Sequence, residues 1–306
     1  MSVPLSDYLQ RCRAEIESML ARVLPSPPDC FPPLADAMRY SLLAGGKRLR
    51  PILCLASAEA VGGDRALARP AACAIELIHT YSLVHDDLPA MDDDTMRRGR
   101  PTLHVVAGEG MAILAGDGLL TEAFGVLARE PASSDPVIVA RKLRVIGVVS
   151  GAAGVVGMVG GQAIDLAAVG TSAAAASRLD TPEALQAMHA RKTGALIRAA
   201  AVAGAIMGGG PEDAIEAVDA AATEFGLAFQ IVDDILDVEG ASEDLGKTAG
   251  KDAAAGKPTY PAVYGIDRSR QLAAECLDRA EAALGRVSLG GTRLLEIGRW
   301  IITRTN

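Results

Sequence analysis

The chain has 306 residues, of which 50% are hydrophobic and only 3% aromatic. That length allows one large domain or two smaller ones, and no linker-like shift in composition divides it. A net charge of −8 argues against nucleic acid as a partner. The five cysteines are odd in number and lack CxxC spacing, so they suit a reducing, cytoplasmic setting better than a disulfide framework.

In chain order, the opening MSVPLSDYLQRCRAEI is too polar for a secretory signal. Pro25 to Pro33 reads as the first interhelical loop. Gly45, Gly46, Lys47, Arg48, Leu49, Arg50 and Pro51 follow as a basic element, in which glycines permit close backbone approach and the side chains can hold an anion. The next helix is built from Ile75, Leu77, Ile78, Tyr81, Leu83 and Val84, with His79, Ser82 and Asp86 at i, i+3 and i+7 on one face. Pro89 is expected to end it soon after Asp87, so that Asp92 returns through a turn. Arg97, Arg98 and Arg100 come next; on local sequence they could neutralise the neighbouring aspartates or bind an anion.

Pro131 to Pro136 marks a further loop. Val145 to Ile164 carries no charge and is long enough to resemble a membrane span, yet glycines punctuate it and it runs through Gln162 into Asp165. A buried helix of small residues is expected there, with no transmembrane segment. Beyond a loop at Gly170 to Ser177, Thr181 precedes Pro182 and Glu183 as a helix cap. Arg191, Lys192 and Thr193 then interrupt another helical pattern. The alanine-rich runs Ala199 to Ala205 and Ala220 to Ala222 favour closely packed helices, and Pro211, Glu212 and Asp213 signal one more helix start. In Phe225 to Asp237 the polar residues Gln230, Asp233, Asp234 and Asp237 share one face of an otherwise oily helix. Lys247, Lys251 and Lys257 sit in a glycine-containing stretch suited to closing over a bound anion. No strand alternation and no glycine-rich strand-to-helix turn appears, so the reading is all-α, one domain over residues 1–306.

Two acidic clusters on apolar helices are the chemical signal. Carboxylates this close repel one another unless a cation intervenes. Oxygen ligands without His or Cys partners point to Mg²⁺, which shares its remaining positions with water and phosphate oxygens. The alternative, solvated acidic helix ends, suits one cluster better than two. With the basic elements around them, the clusters describe a helix-walled apolar cavity for an oily substrate carrying a diphosphate.

The ordered set GGKRLRP (45–51), HDDLPAMDDD (85–94), RRGRPT (97–102), GGQAID (160–165), RKTGAL (191–196), FQIVDDILD (229–237) and GKPTYP (256–261) resembles the trans-polyprenyl diphosphate synthases, specifically the bacterial farnesyl diphosphate synthase type. The resemblance implies roughly ten or more helices around a central cavity, usually as a homodimer. It implies Mg²⁺ ligation by Asp86, Asp92 and Asp233, supported by Asp87 and Asp237. Isopentenyl diphosphate would be held by Lys47, Arg50, His79 and Arg98. The allylic diphosphate would be held or complemented by Arg97, Lys192, Thr193, Gln230, Lys247 and Lys257, of which Lys192, Thr193 and Gln230 also carry the catalytic assignment.

Tyr81 lies about 7 to 8 Å along a continuous helix before Asp86. With Ser82 beside it, and with Pro89 and Ala90 as extra residues between the acids, it resembles the position that stops growth at fifteen carbons. Geranylgeranyl diphosphate synthase and a non-catalytic partner subunit are the alternative readings. A class I terpene cyclase fits less well, because it has no use for Lys47, Arg50, His79 and Arg98.

Overall fold

A computed structural model describes residues 3–169, 182–240 and 259–304. The described residues are almost entirely helical. In chain order they form α1 (Leu5–Val23), α2 (Pro32–Leu42), α3 (Leu49–Ala60), α4 (Arg65–Asp86), α5 (Leu103–Ala107), α6 (Glu109–Arg129), α7 (Pro136–Ala153) and α8 (Met158–Val169). After these come α9 (Pro182–His189), a π-helical turn (Ala190–Gly194), α10 (Ala195–Gly208), α11 (Glu212–Gly240), α12 (Tyr260–Tyr264), α13 (Ile266–Gly285) and α14 (Arg293–Thr303). The only strands among them, β1 (Met96–Arg97) and β2 (Arg100–Pro101), make a minimal antiparallel hairpin. The expected caps at Thr181, the loop at 170–177 and the lysines Lys247, Lys251 and Lys257 lie outside the described residues.

The alanine-rich helix α10 is the hub, packing on α3, α4, α7 and α11. Small side chains let the backbones approach. A Cβ at Gly204 would lie 1.9 Å from the Cys54 carbonyl oxygen, and one at Gly208 would lie 2.9 Å from the Ala58 carbonyl oxygen. Leucine or valine at these positions would push α3 and α10 apart, which a close-packed interior cannot absorb.

Helix α4 begins at Asp64, whose carboxylate accepts from the Ala66 N–H at 2.8 Å. It ends at Asp86, with Asp87 as its C-cap, as the downstream proline requires. The chain then folds back, and the Asp92 N–H donates to the Asp86 carbonyl at 2.9 Å. The turn returns Asp92 to the helix end where Asp86 sits.

The expected buried helix at Val145 to Ile164 is not what forms. The segment breaks at Gly154 to Gly157 into the end of α7 and the start of α8, and Val155 and Val156 are 81% and 73% exposed. Glycine weakens helix continuity, and among the described residues the outer face stays uncovered. By length and composition both Glu109–Arg129 and Pro136–Ala167 could cross a membrane, and both are mostly unburied.

The basic element at 45–51 divides its duties. Arg48 adopts a left-handed conformation (φ 52°) and turns inward, away from the anion-holding role expected of it. Its Nε donates to Glu17 and its Nη1 to Glu76, both at 2.7 Å, and its Nη2 donates to the Leu42 carbonyl. Arg48 and Glu76 are buried, so Arg48 ties α1, α2 and α4 to the start of α3, between Lys47 and Arg50. Burying a charge is tolerable only while it remains paired. Glu76→Ala should therefore lower stability by about 3 kcal/mol, read from the denaturant midpoint. An unchanged midpoint would mean that Glu17 and the Leu42 carbonyl suffice.

Candidate active site

A cavity of about 380 Å³ opens between α4, α8 and the π-turn. It gathers Arg50, His79, Tyr81, Ser82, Asp86, Lys192 and Thr193, seven of the positions expected from sequence, with Met91, Met158, Ala163 and Leu166 as apolar wall. A neighbouring cleft, sharing Leu83, is lined by Asp87, Arg97, Arg98 and Tyr40.

Asp86 sits at the end of α4. Burial raises its pKa to about 6, with the nearby Asp92 and Asp87 carboxylates pushing the same way and Lys192 and Arg97 opposing. Asp87 faces inward and is gripped by Arg97, whose Nε donates to it at 2.7 Å and whose Nη2 lies 2.6 Å away. Arg97 also reaches Asp94 at 3.7 Å. Arg97 thus neutralises the inner acid, the local alternative left open by sequence, while standing beside the site where a diphosphate is expected.

Arg97 and Arg98 occupy the β1–β2 hairpin, pinned by the Tyr40 hydroxyl donating to the Pro101 carbonyl at 2.8 Å and by Arg100 over the Tyr40 ring. Arg98 donates to the Gly45 carbonyl. Its guanidinium fills the space beside Gly46, where a Cβ would come within 2.7 Å of its central carbon. Gly46 (φ 130°) thereby accepts a backbone form that other residues rarely take, and a contact that they would block. Arg50 senses Glu76, Asp233 and Arg98, and its Nε is buried without a protein partner. An arginine stays charged even there. His79 is different, because burial and the cations Arg50, Arg98, Arg97 and Arg48 push its pKa far below the usual value. It is a neutral hydrogen-bonding group at ordinary pH.

The π-turn carries Lys192 and Thr193; such turns widen a helix and redirect side chains. Lys192 Nζ lies 2.5 Å from Asp165. Gly161 makes the approach possible, since a Cβ there would sit 2.3 Å from the Lys192 backbone nitrogen. On α11, the Gln230 amide donates to Asp234 at 2.8 Å, and Asp234 also accepts from the Tyr260 N–H at 2.9 Å. Asp234 is therefore an anchor for α12, whereas Asp233 remains 42% exposed and accepts from Arg304 at 2.6 Å. Asp237 follows on the same helix, partly buried. The expected Lys247 and Lys257 lie outside the described residues.

Three partners were not assigned from sequence. Asp165 closes the GGQAID motif, so its carboxylate after an uncharged stretch was a usable signal. His85 accepts no role in that reading, yet it packs edge-on to Tyr81 with centroids 5.6 Å apart and its Nε2 lies 3.1 Å from the Ile113 carbonyl. Arg304 left no motif at all.

Among the described residues no group of three or more His, Cys, Asp or Glu side chains could hold a metal by itself. The donor set nevertheless fits Mg²⁺, which is commonly held by one or two carboxylates together with substrate phosphates. The burial that pushes Asp86 up, and the carboxylate crowding that adds to it, are what such a cation would offset.

A polyprenyl synthetase family model matches residues 31–288. A heterodimeric geranylgeranyl pyrophosphate synthase large subunit from Arabidopsis thaliana is 49% identical over 273 residues, covering 89% of this chain and 72% of that protein. A dimethylallyltranstransferase from Fischerella ambigua is 45% identical over 303 residues, covering 99% and 84%. The crystal structure of an FPP/GFPP synthase from Zymomonas mobilis superposes with a TM-score of 0.83 at 38% identity, over 99% of this chain and all of that one. With the helical fold, the acidic clusters and the arginine-lined cavity already in place, these matches establish that the chain belongs to the polyprenyl synthetase family of prenyltransferases.

Proposed function

We propose that this prenyltransferase condenses isopentenyl diphosphate with dimethylallyl and then geranyl diphosphate, releasing pyrophosphate and stopping at farnesyl diphosphate. The observation that carries the product length is Tyr81, 7% exposed, lining the same cavity as Asp86 one helical turn and a half nearer the interior of α4. A growing tail directed down that cavity meets the phenol ring, itself braced by His85.

Asp86, Asp92 and Asp233 are the residues that would hold Mg²⁺. When bound, that ion supplies positive charge opposite the departing pyrophosphate. Arg97 and Lys192 hold the allylic diphosphate, with Lys247 and Lys257 assigned to the same task by resemblance. Lys47, Arg50, His79 and Arg98 hold isopentenyl diphosphate, in which His79 serves as a neutral donor or acceptor. The allylic C–O bond breaks with both electrons leaving on pyrophosphate. The isopentenyl double bond attacks the resulting cation, a C–C bond forms, and a proton departs to the released pyrophosphate. Thr193 and Gln230 favour the cation by presenting oxygen dipoles, while Met91, Met158 and Leu166 keep water from intercepting it.

Geranylgeranyl diphosphate is the second reading, favoured by the name of the Arabidopsis relative. Product chromatography from purified protein, Mg²⁺, isopentenyl diphosphate and geranyl diphosphate separates the two, and turnover by the chain alone excludes a silent partner subunit. Tyr81→Ala should lengthen the product beyond C15; an unchanged C15 product refutes the ring as the stop. Asp86→Ala and Asp233→Ala should each abolish turnover, and near-normal rates in either sink the metal assignment.

A homodimer is the third element of the proposal. Ile113 and Leu114 on α6, Leu143 on α7, and Val155 and Val156 between α7 and α8 are exposed apolar side chains on helices that pack on one another, the kind of surface that marks an interaction site. A second copy covers it without placing Asp117, Arg141 and Arg144, which α6 and α7 also carry, in hydrocarbon. The five thiols, none of them in a disulfide, suit a reducing, cytoplasmic compartment. Leu114→Glu should shift the chain to monomer in sedimentation velocity, and an unshifted dimer would place the interface elsewhere.

A further inference from the structure

Helix α14 ends at Thr303, one residue before Asp233's unexpected partner, and packs directly on α11. Gly298 sets that closeness: a Cβ there would lie 2.2 Å from the Phe225 ring. Phe225, Phe229 and Asp233 recur every four residues, so they line one face of α11. Arg304, the first residue beyond α14, is extended (φ −67°, ψ 149°) and crosses back onto that face. Its Nη2 donates to the Phe229 carbonyl at 3.0 Å and to Asp233 Oδ1 at 2.6 Å, while its guanidinium lies 4.0 Å from the Phe229 ring centroid.

Exposure decides what this contact does. The Arg304 side chain is 1% exposed and that of Asp233 is 42% exposed. The base therefore stands behind the acid, on the protein side, and leaves the open side of the carboxylate clear. A group that competed with a cation would lie in front. Nor is Arg304 needed to seat the helix, because Leu294, Leu295, Ile297 and Ile301 already bury α14. Among the described residues its Nε and Nη1 are buried without partners, and unspent buried donors are costly. Such a cost is an expensive way to fasten a chain end, but a reasonable one for orienting a carboxylate that does chemistry.

We propose that Arg304 is a positioning residue: by gripping one oxygen of Asp233 from behind and anchoring itself on the Phe229 carbonyl, it presents the other oxygen to a divalent cation. The inference rests on the reading of Asp233 as a metal ligand. Groups that orient a ligand from behind typically cost about 10- to 100-fold in metal affinity when removed. The geometry also needs the fork of a guanidinium, since an ammonium on a lysine stem offers a point charge rather than a planar pair of donors.

The test is Mn²⁺ binding followed by electron paramagnetic resonance, with inorganic pyrophosphate present and no allylic substrate. The Mn²⁺ sites lost in Asp233→Asn define the class to follow. In Arg304→Gln that class should weaken by about 10- to 100-fold, with Arg304→Lys falling between Gln and the unchanged chain. Equal or tighter Mn²⁺ binding in Arg304→Gln overturns the role. Thermal unfolding in metal-free buffer identifies a variant that fails to fold; Arg304→Lys then carries the test, and Mn²⁺ affinity equal to that of the unchanged chain overturns the role in the same way. Mn²⁺ binding that survives Asp233→Asn refutes the metal assignment and the positioning role together. Binding lost in Asp233→Asn but kept in Arg304→Gln refutes the positioning role alone.

Discussion

Carboxylates crowded at the mouth of an apolar cavity must be compensated by positive charge, and much of this chain serves that requirement. Arg97 closes on Asp87, Lys192 on Asp165, Arg304 on Asp233, and Arg48 on Glu17 and Glu76. All but the Arg97–Asp87 pair join elements well separated in sequence, so there the electrostatics and the tertiary contacts are the same interactions. Low dielectric makes an unpaired charge expensive and a paired one informative about geometry. Asp86 is pushed up to about 6 by burial. A cation held there, as proposed for Asp86, Asp92 and Asp233, would offset that burial.

The cavity exists because other helices pack so closely. Gly204 and Gly208 on α10 bring that helix onto α3, and Gly161 brings α8 onto the π-turn. Alanine fills much of α10. Tight contacts on one side of the bundle leave the space between α4 and α8 for substrate, which a core of uniformly large side chains would have filled. The π-turn adds a residue to the helical path and so turns Lys192 and Thr193 into that space.

Two kinds of basic residue emerge from one run of sequence. Lys47, Arg48 and Arg50 look alike in composition, but Arg48 is a buried tie and Arg50 lines the cavity. The same division occurs among the acids, where Asp234 anchors the Tyr260 backbone and its neighbour Asp233 stays 42% exposed against Arg304. Helical spacing puts a side chain on a face; it does not say whether a partner from elsewhere in the chain will meet it there.

The sequence by itself determined the helical class, the break after Asp86, the return of Asp92 and the two acidic helices, because periodicity and proline act over a few residues. It also pointed to seven of the residues that one cavity gathers. Only the tertiary structure decided that Arg48 turns inward, that 145–164 breaks into two helices with an exposed outer face, and that Arg304 stands behind Asp233. The arginine placements depend on pairings that reach across as many as 75 residues. A charged residue at position 304 carries no local mark of the helix it will meet at position 233.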